Sequence, residues 1–344
     1  MRVITCTGYY GTGSSAVTDL TREYENVACK TDYELHFLFQ YHGVNDLYHY
    51  LVEKTDWWSM LYAISDYEKL CRQFATSGTK MNYEKYFEGT FLEASEEYID
   101  RIGREYYIGH TGAPADPIGN LTFRLINKIF QVVTLKKYPF VTIGGHRIKI
   151  YKNPVTDAGE FTLITRQYIN QILSRINTKD FLFIDQLCSA SSIEECSRWF
   201  DDLKVVVVDR DPRDQYILCN YVWAPENSKH RDDVHDFCES FLRNRHLSAR
   251  CRGENILRIH FEDLLAHYEE TVERIEDFCG LDAAHHVNRL RYFDPKVSIN
   301  NTRLWLYRQG DPDIRYIEEH LKDYQYNGWS IEDLRPLEKQ PVAW

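Results

Sequence analysis

Gly8-Tyr9-Tyr10-Gly11-Thr12-Gly13-Ser14-Ser15 places four residues between Gly8 and Gly13 and follows them with two small hydroxyl residues, the spacing of a phosphate-binding loop. In nucleoside triphosphatases the first of those last two positions is Lys; here it is Ser14. Backbone N–H groups at the start of a helix hold a phosphate or sulfate without that Lys. Triphosphate hydrolysis is harder to sustain, because Lys and metal together neutralise the developing charge. Tyr10, Gly11, Thr12, Gly13, Ser14 and Ser15 are therefore expected to touch a phosphorylated nucleotide, and an ordinary ATPase is disfavoured. A glycine-rich turn without a ligand is the plain alternative. A second anion contact is Arg210, which falls just past Val205-Val206-Val207-Val208, where open parallel sheets bind ligands. Its guanidinium can fork onto a phosphate, and Arg213 stands ready to add charge. The alternative is an ion pair with Asp209, Asp211 or Asp214.

These residues need strands and helices to place them. Val3 to Cys6 reads as an apolar strand, and Val17, Leu20 and Tyr24 recur beyond the loop at helical spacing. Phe181 to Asp185 is a second short strand, followed by a helix near Ile193. The four consecutive valines suit a strand covered on both faces; beyond them Asp211 can cap and Pro212 can start a helix. Leu257-Arg258-Ile259 is another strand, and Val272, Ile275 and Phe278 mark a helix that Gly280 stops. The repetition of strand, turn and helix predicts an α/β fold: a parallel-sheet, P-loop-like nucleotide-binding core with helices on both faces. Residues 45–180 read as a large, mainly helical insertion, with helices over 46–75, 83–106 and 120–135. A hairpin is expected over 140–150, turning at Gly144-Gly145. No linker rich in Gly, Ser or Pro divides the 344 residues, so one domain is expected.

Composition narrows the function. Lys+Arg 41 against Asp+Glu 52 leaves a net charge of −11, which argues against broad nucleic-acid binding. Nine scattered cysteines without a Cys-x-x-Cys pair fit neither a zinc knuckle nor a secreted disulfide framework, so reduced thiols and a cytoplasmic location are expected. No apolar run approaches the roughly 20 residues of a membrane span. No metal-ligand spacing appears, so no metal is expected. The 25 tyrosines imply buried amphipathic side chains or a sugar-facing cleft, with ordinary core and surface tyrosine as the commoner reason.

Taken together, the two anion sites resemble the sulfotransferase family, which uses 3′-phosphoadenosine 5′-phosphosulfate (PAPS) as donor. Gly11-Thr12-Gly13-Ser14-Ser15 lies on the family's loop for the 5′-phosphosulfate. Val208-Asp209-Arg210-Asp211-Pro212-Arg213-Asp214 lies on its motif for the 3′-phosphate. Phe261-Glu262-Asp263-Leu264 through Phe278-Cys279-Gly280-Leu281 matches a third signature, and the order along the chain is the family's. The pattern is closest to bacterial carbohydrate-type or tyrosylprotein-like members. The resemblance implies sulfuryl transfer to a hydroxyl of a carbohydrate or small metabolite, with adenosine 3′,5′-bisphosphate (PAP) as product and a small-molecule or glycan acceptor as partner.

Departures bear on mechanism. The family's loop cation falls on Gly11, leaving Lys30, Arg147, Lys149 and Arg303 as replacements. The Ser eight positions after the motif Arg is Leu218, with Asn220 the substitute. Asp185-Gln186-Leu187-Cys188 lacks the His that serves cytosolic members as base. Tyrosylprotein-like members use a Glu after the second strand; Glu34 falls near that position, and His36 is the second candidate. Ser298-Ile299-Asn300-Asn301-Thr302-Arg303-Leu304-Trp305 resembles the loop that folds over the nucleotide, which nominates Ser298 and Arg303. The rival readings are a small-molecule kinase using the same loop and a protein that binds the nucleotide without turnover.

Overall fold

The four valines lie inside the longest strand of a five-stranded sheet. The structure, a computed structural model, describes residues 1–30, 34–76, 82–111, 117–137, 146–222 and 233–330; at 36, 58, 61, 110–111, 117–120, 122–124 and 146–148 only the backbone is described. In chain order the strands are β1 (Arg2–Thr7), β2 (Val27–Lys30), β3 (Tyr106–Thr111), β4 (His146–Tyr151), β5 (Phe181–Asp185), β6 (Asp202–Asp209) and β7 (Ile256–His260). The chain separates into two compact units: residues 1–36 with 169–344, and residues 37–168.

In the first unit the sheet order is β2-β5-β1-β6-β7, and every pairing is parallel. Alternate residues of a strand face opposite sides. Val206 and Val208 join Ile4, Cys6, Val17, Leu20, Ile259, Val272 and Ile275 in one core, which packs helix α1 (Ser15–Thr21) and the helix Tyr268–Cys279 on that face. Val205 and Val207, on the other face, are equally buried. Each such side chain contributes roughly 1.5–3 kcal/mol of burial, so a polar substitution on either face would break the layer. A second core of Tyr216, Phe237, Phe241, Ile314 and Ile317 joins the helices Pro212–Ile217, Val234–Ser248 and Pro312–His320. The expected caps form: Asp211 accepts the N–H of Arg213 with Pro212 in the first turn, and Gly280 ends its helix at φ 71°.

The register brings the strand ends level. Cys6 pairs with Asp185, Thr7 with Val207, and Asp209 with His260. The loop after β1, Gln186 after β5, Arg210 after β6 and Phe261 after β7 therefore leave the sheet along one edge.

In the second unit the sequence periodicity merged elements that backbone geometry separates. The helix expected over 46–75 is broken before Trp57–Thr76, where Thr55 has φ 46° and Asp56 accepts the N–H of Ser59 at 3.0 Å. That expected over 83–106 is interrupted at Glu88 and Gly89, both with positive φ, before Phe91–Gly103 begins. The third lies at Pro117–Val133. β4 pairs antiparallel with β3, from Tyr106 opposite Tyr151 to Thr111 opposite His146. Residues 140–145 of the expected hairpin lie outside the described residues. Many tyrosines form this unit's core. Tyr98 stacks on Tyr168 at 4.4 Å, and their hydroxyls bond Thr165 and Ser95 at 2.9 and 2.8 Å, so these two buried phenols are both satisfied.

None of the nine cysteines is joined in a disulfide. Among the described residues no helix is long and apolar enough to cross a membrane, and no group of three or more His, Cys, Asp or Glu is placed to hold a metal.

Candidate functional site

A cleft of about 470 Å³ opens at the strand ends of the first unit, within the range of small-molecule sites. Its wall includes Tyr10, Gly11, Gly13, Ser14 and Ser15 of the loop, Arg210 after β6, and Ser298. The two anion contacts read from the sequence thus share one cavity.

The loop is shaped by positive φ at Tyr10 (59°), Gly11 (79°) and Gly13 (84°). A side chain at Gly13 would be strained by that backbone and would meet the Phe261 ring at 2.6 Å, so glycine lets the loop lie against the aromatic wall. Thr12 turns inward: its Oγ1 accepts the N–H of Tyr9 at 3.1 Å, and the residue is buried outside the cleft wall. Ser14 Oγ accepts from Gln186 Nε2 at 3.1 Å, which ties the loop to the end of β5.

Arg210 is 3% exposed. Its Nη1 donates to the Gly11 carbonyl at 3.2 Å, its Nη2 donates to the Asn301 carbonyl, and the guanidinium lies 4.7 Å from the Phe261 ring centre. Nε is a buried donor with no acceptor. Arg213 behaves differently: it is spent on Asp211 at 2.6 Å and Glu318 at 3.2 Å, with Trp305 beneath it at 3.8 Å.

Two buried acids flank Arg210, and burial resists the ionisation of both. Burial lifts the Glu262 carboxyl to about 8, against the pull of Arg210 and with the charge of Asp211 adding to the rise. Burial and then Asp211 raise Asp214 to about 7, against Arg210 and the N–H groups of Arg303 and Leu304 that its oxygens accept at 2.6 and 2.7 Å. Near neutral pH Glu262 is mostly protonated and Asp214 only partly ionised, so the two acids compensate the charge of Arg210 only in part.

Other nominated residues lie elsewhere. Asn220, in the turn Leu218–Val222, is buried and bonds the Tyr216 hydroxyl; Leu218 stands on the cleft wall instead. Arg303 is buried with its guanidinium 4.7 Å from the Trp329 ring centre, and is not part of the wall. Lys30 ends β2, and Lys149 pairs with Glu68 at 3.2 Å in the second unit. The Arg147 side chain lies outside those described. Glu34 is half-buried and close enough to Asp185 for its charge to add to the burial that raises the Asp185 carboxyl, against hydrogen bonds from Cys6 and Thr18. His36 opens the short turn His36–Leu38, and its side chain is not among those described.

Sequence reasoning missed Ala16, Asp19, Tyr292 and Phe293 on the wall, and did not single out Gln186, Phe261 or Asn301, quoted only within longer stretches. An aromatic doublet at Tyr292-Phe293 was the one available signal. Of these rings Tyr292 is exposed, while Phe261 and Phe293 are buried in the wall, so Tyr292 has the most aromatic surface open to the cleft.

Residues 146–285 match the sulfotransferase family. That stretch holds the Arg210 motif and the third signature, while the loop at 8–15 lies outside it. No curated protein matches the chain. Among solved structures, the sulfotransferase domain from the Synechococcus PCC 7002 olefin synthase is 12% identical, with 95% of each chain covered and a TM-score of 0.42. The sulfotransferase domain from the curacin biosynthetic pathway is 10% identical, covering 95% of this chain and 98% of that one, with a TM-score of 0.44. Sulfotransferase STF9 from Mycobacterium avium is 12% identical over 94% of this chain and 76% of its own, with a TM-score of 0.36.

Proposed function

We propose that this chain, sulfotransferase-like over residues 146–285, moves a sulfuryl group from PAPS to a hydroxyl of a carbohydrate or other small hydroxylated molecule. Arg210 supports the reading most strongly. A buried guanidinium facing a cleft, with one N–H lacking an acceptor and its acidic neighbours pushed toward neutrality, is costly unless an anion completes it. The residues present fit an adenosine nucleotide with an anionic group at each end: glycine-loop backbone for one, Arg210 for the other, and the exposed ring of Tyr292 for the base.

In such a transfer the acceptor oxygen attacks sulfur in line with the departing phosphate oxygen, which leaves with the electron pair of the broken S–O bond. This chain would hold the phosphates through Arg210 and the loop, and Glu34 would take the acceptor's proton.

Calorimetry with adenosine 3′,5′-bisphosphate tests the nucleotide site. The bisphosphate is expected to bind well above AMP, and Arg210→Ala to weaken it roughly ten- to a hundredfold, the worth of a lost charged hydrogen bond. Equal affinity for the two nucleotides would defeat the assignment, and tighter binding of ATP with Mg²⁺ would favour a kinase. Glu34→Gln tests the base. It is expected to leave bisphosphate binding intact while the yield of sulfated product, read by mass spectrometry of a metabolite extract supplied with PAPS, collapses; wild-type yield would move the role away from Glu34.

A further inference from the structure

Behind the loop, away from the cleft, a chain of buried and half-buried side chains reaches the loop and Arg210. Gln215, in the helix Pro212–Ile217, is 4% exposed. Its amide Nε2 donates to two consecutive loop carbonyls, Tyr9 at 2.8 Å and Tyr10 at 2.7 Å. Its Oε1 accepts from Arg245 Nη2 at 2.9 Å. The amide has one workable orientation, since the nitrogen end meets two carbonyls and the oxygen end a guanidinium.

Arg245 is itself gripped. It rises from the helix Val234–Ser248, and its guanidinium carbon lies 3.4 Å from the ring centre of Phe241 and 4.1 Å from that of Tyr9. The same Nη2 donates to Asp209 Oδ1 at 2.6 Å, the oxygen that also accepts the backbone N–H of Arg210 at 2.8 Å. One branch therefore runs Arg245–Gln215–Tyr9/Tyr10 and the other Arg245–Asp209–Arg210. The two branches end on the two walls that would hold the two ends of the nucleotide. The first branch bears on Tyr10, whose positive φ of 59° is uncommon for a residue with a side chain and persists only where its surroundings hold it.

We propose that Gln215, clamped by Arg245, is a positioning residue that presets the anion loop relative to Arg210 before nucleotide arrives; the nucleotide part of this inference rests on the function proposed above. Order already present in the free protein is order that binding need not supply, so loss of the brace appears in affinity and donor KM rather than in kcat.

The test uses the full chain and Gln215→Met, which keeps length and removes both hydrogen-bonding ends, with Gln215→Glu as the second variant should Met fold poorly. Glu keeps an acceptor for Arg245 and, while ionised, has no donor for the two carbonyls. The first readout is amide hydrogen exchange without ligand. Exchange across residues 9–15 is expected to accelerate at least tenfold while β1 and β6 exchange as in the wild type, and unaltered loop exchange would overturn the proposal. The second is calorimetry with adenosine 3′,5′-bisphosphate, where a tenfold or greater loss is expected. Wild-type affinity in the Gln215 variant, alongside weakened binding in Arg210→Ala, would overturn the brace and leave the nucleotide site standing. Absence of binding to the wild type would defeat the nucleotide reading alone, and the exchange measurement would still decide whether Gln215 orders the loop.

Discussion

Glu262 shows how one buried carboxyl can serve a neighbouring cation best by staying neutral. Its Oε1 accepts the Asp211 N–H at 3.0 Å, which anchors the turn that presents Arg210, while its Oε2 is buried without a partner. With its carboxyl raised from the ordinary 4.5 to about 8, the folded state holds a proton that the unfolded chain gives up between those values. Stability should therefore fall as pH climbs through that window, by up to ~1.4 kcal/mol per unit, and level off above it. Asp214, raised to about 7, adds to the slope in the lower part of the window. Urea unfolding between about pH 6 and pH 8 should show the decline in the wild type and a flatter profile in Glu262→Gln, which keeps the acceptor and has nothing to titrate. A wild-type slope retained in the variant would assign the proton elsewhere. The loop and Arg210 were legible as residues of one cleft because glycine spacing and a place just past a strand are local signals. Gln215 and Arg245 were not, since a hydrogen bond between residues 30 positions apart leaves no spacing to read.

At the scale of elements, a single carboxylate organises the aromatic wall. Glu23 is fully buried just past α1 and accepts N–H groups from Leu290, Tyr292 and Phe293 at 3.0, 2.9 and 3.0 Å, with His286 Nε2 at 2.7 Å. It fixes an irregular segment that no helix or strand supports, and two of that segment's residues line the cleft. Glu23→Ala would strand three donors and His286, a loss of about 3–5 kcal/mol, or roughly 4–7 °C in melting temperature. A thermal scan showing less than a couple of degrees would mean that the segment has other anchors. Strands and caps of the first unit were readable because a parallel sheet needs continuous apolar runs and its helices carry their stop signals openly. The segment at 106–111 was not: Tyr106, Tyr107 and Ile108 are all exposed, so no in-and-out alternation marks them as strand. The partner of β4 was likewise hidden, because antiparallel ribbons joined across more than thirty residues carry no turn to announce them.

For the whole molecule, a net charge of −11 and a cleft built around a cation coexist because they act at different ranges. Surface charge is screened beyond about 10 Å at ordinary salt, while Arg210 acts at contact distance in a setting that salt penetrates poorly. Composition averages over broad surfaces and is silent about one pocket. The α/β class followed from repeated strand-turn-helix units, and the parallel order β2-β5-β1-β6-β7 confirms it.

That strand order also sets a timetable. β1 lies between β5 and β6, whose first paired residues are Phe181 and Asp202. On the ribosome the nascent chain thus displays an apolar ribbon whose partners are not yet made, and the entire 37–168 unit is synthesised in the interval. Late closure of the sheet around β1 is a non-local pairing, which folds slowly and leaves that apolar ribbon open to wrong partners until β5 and β6 arrive.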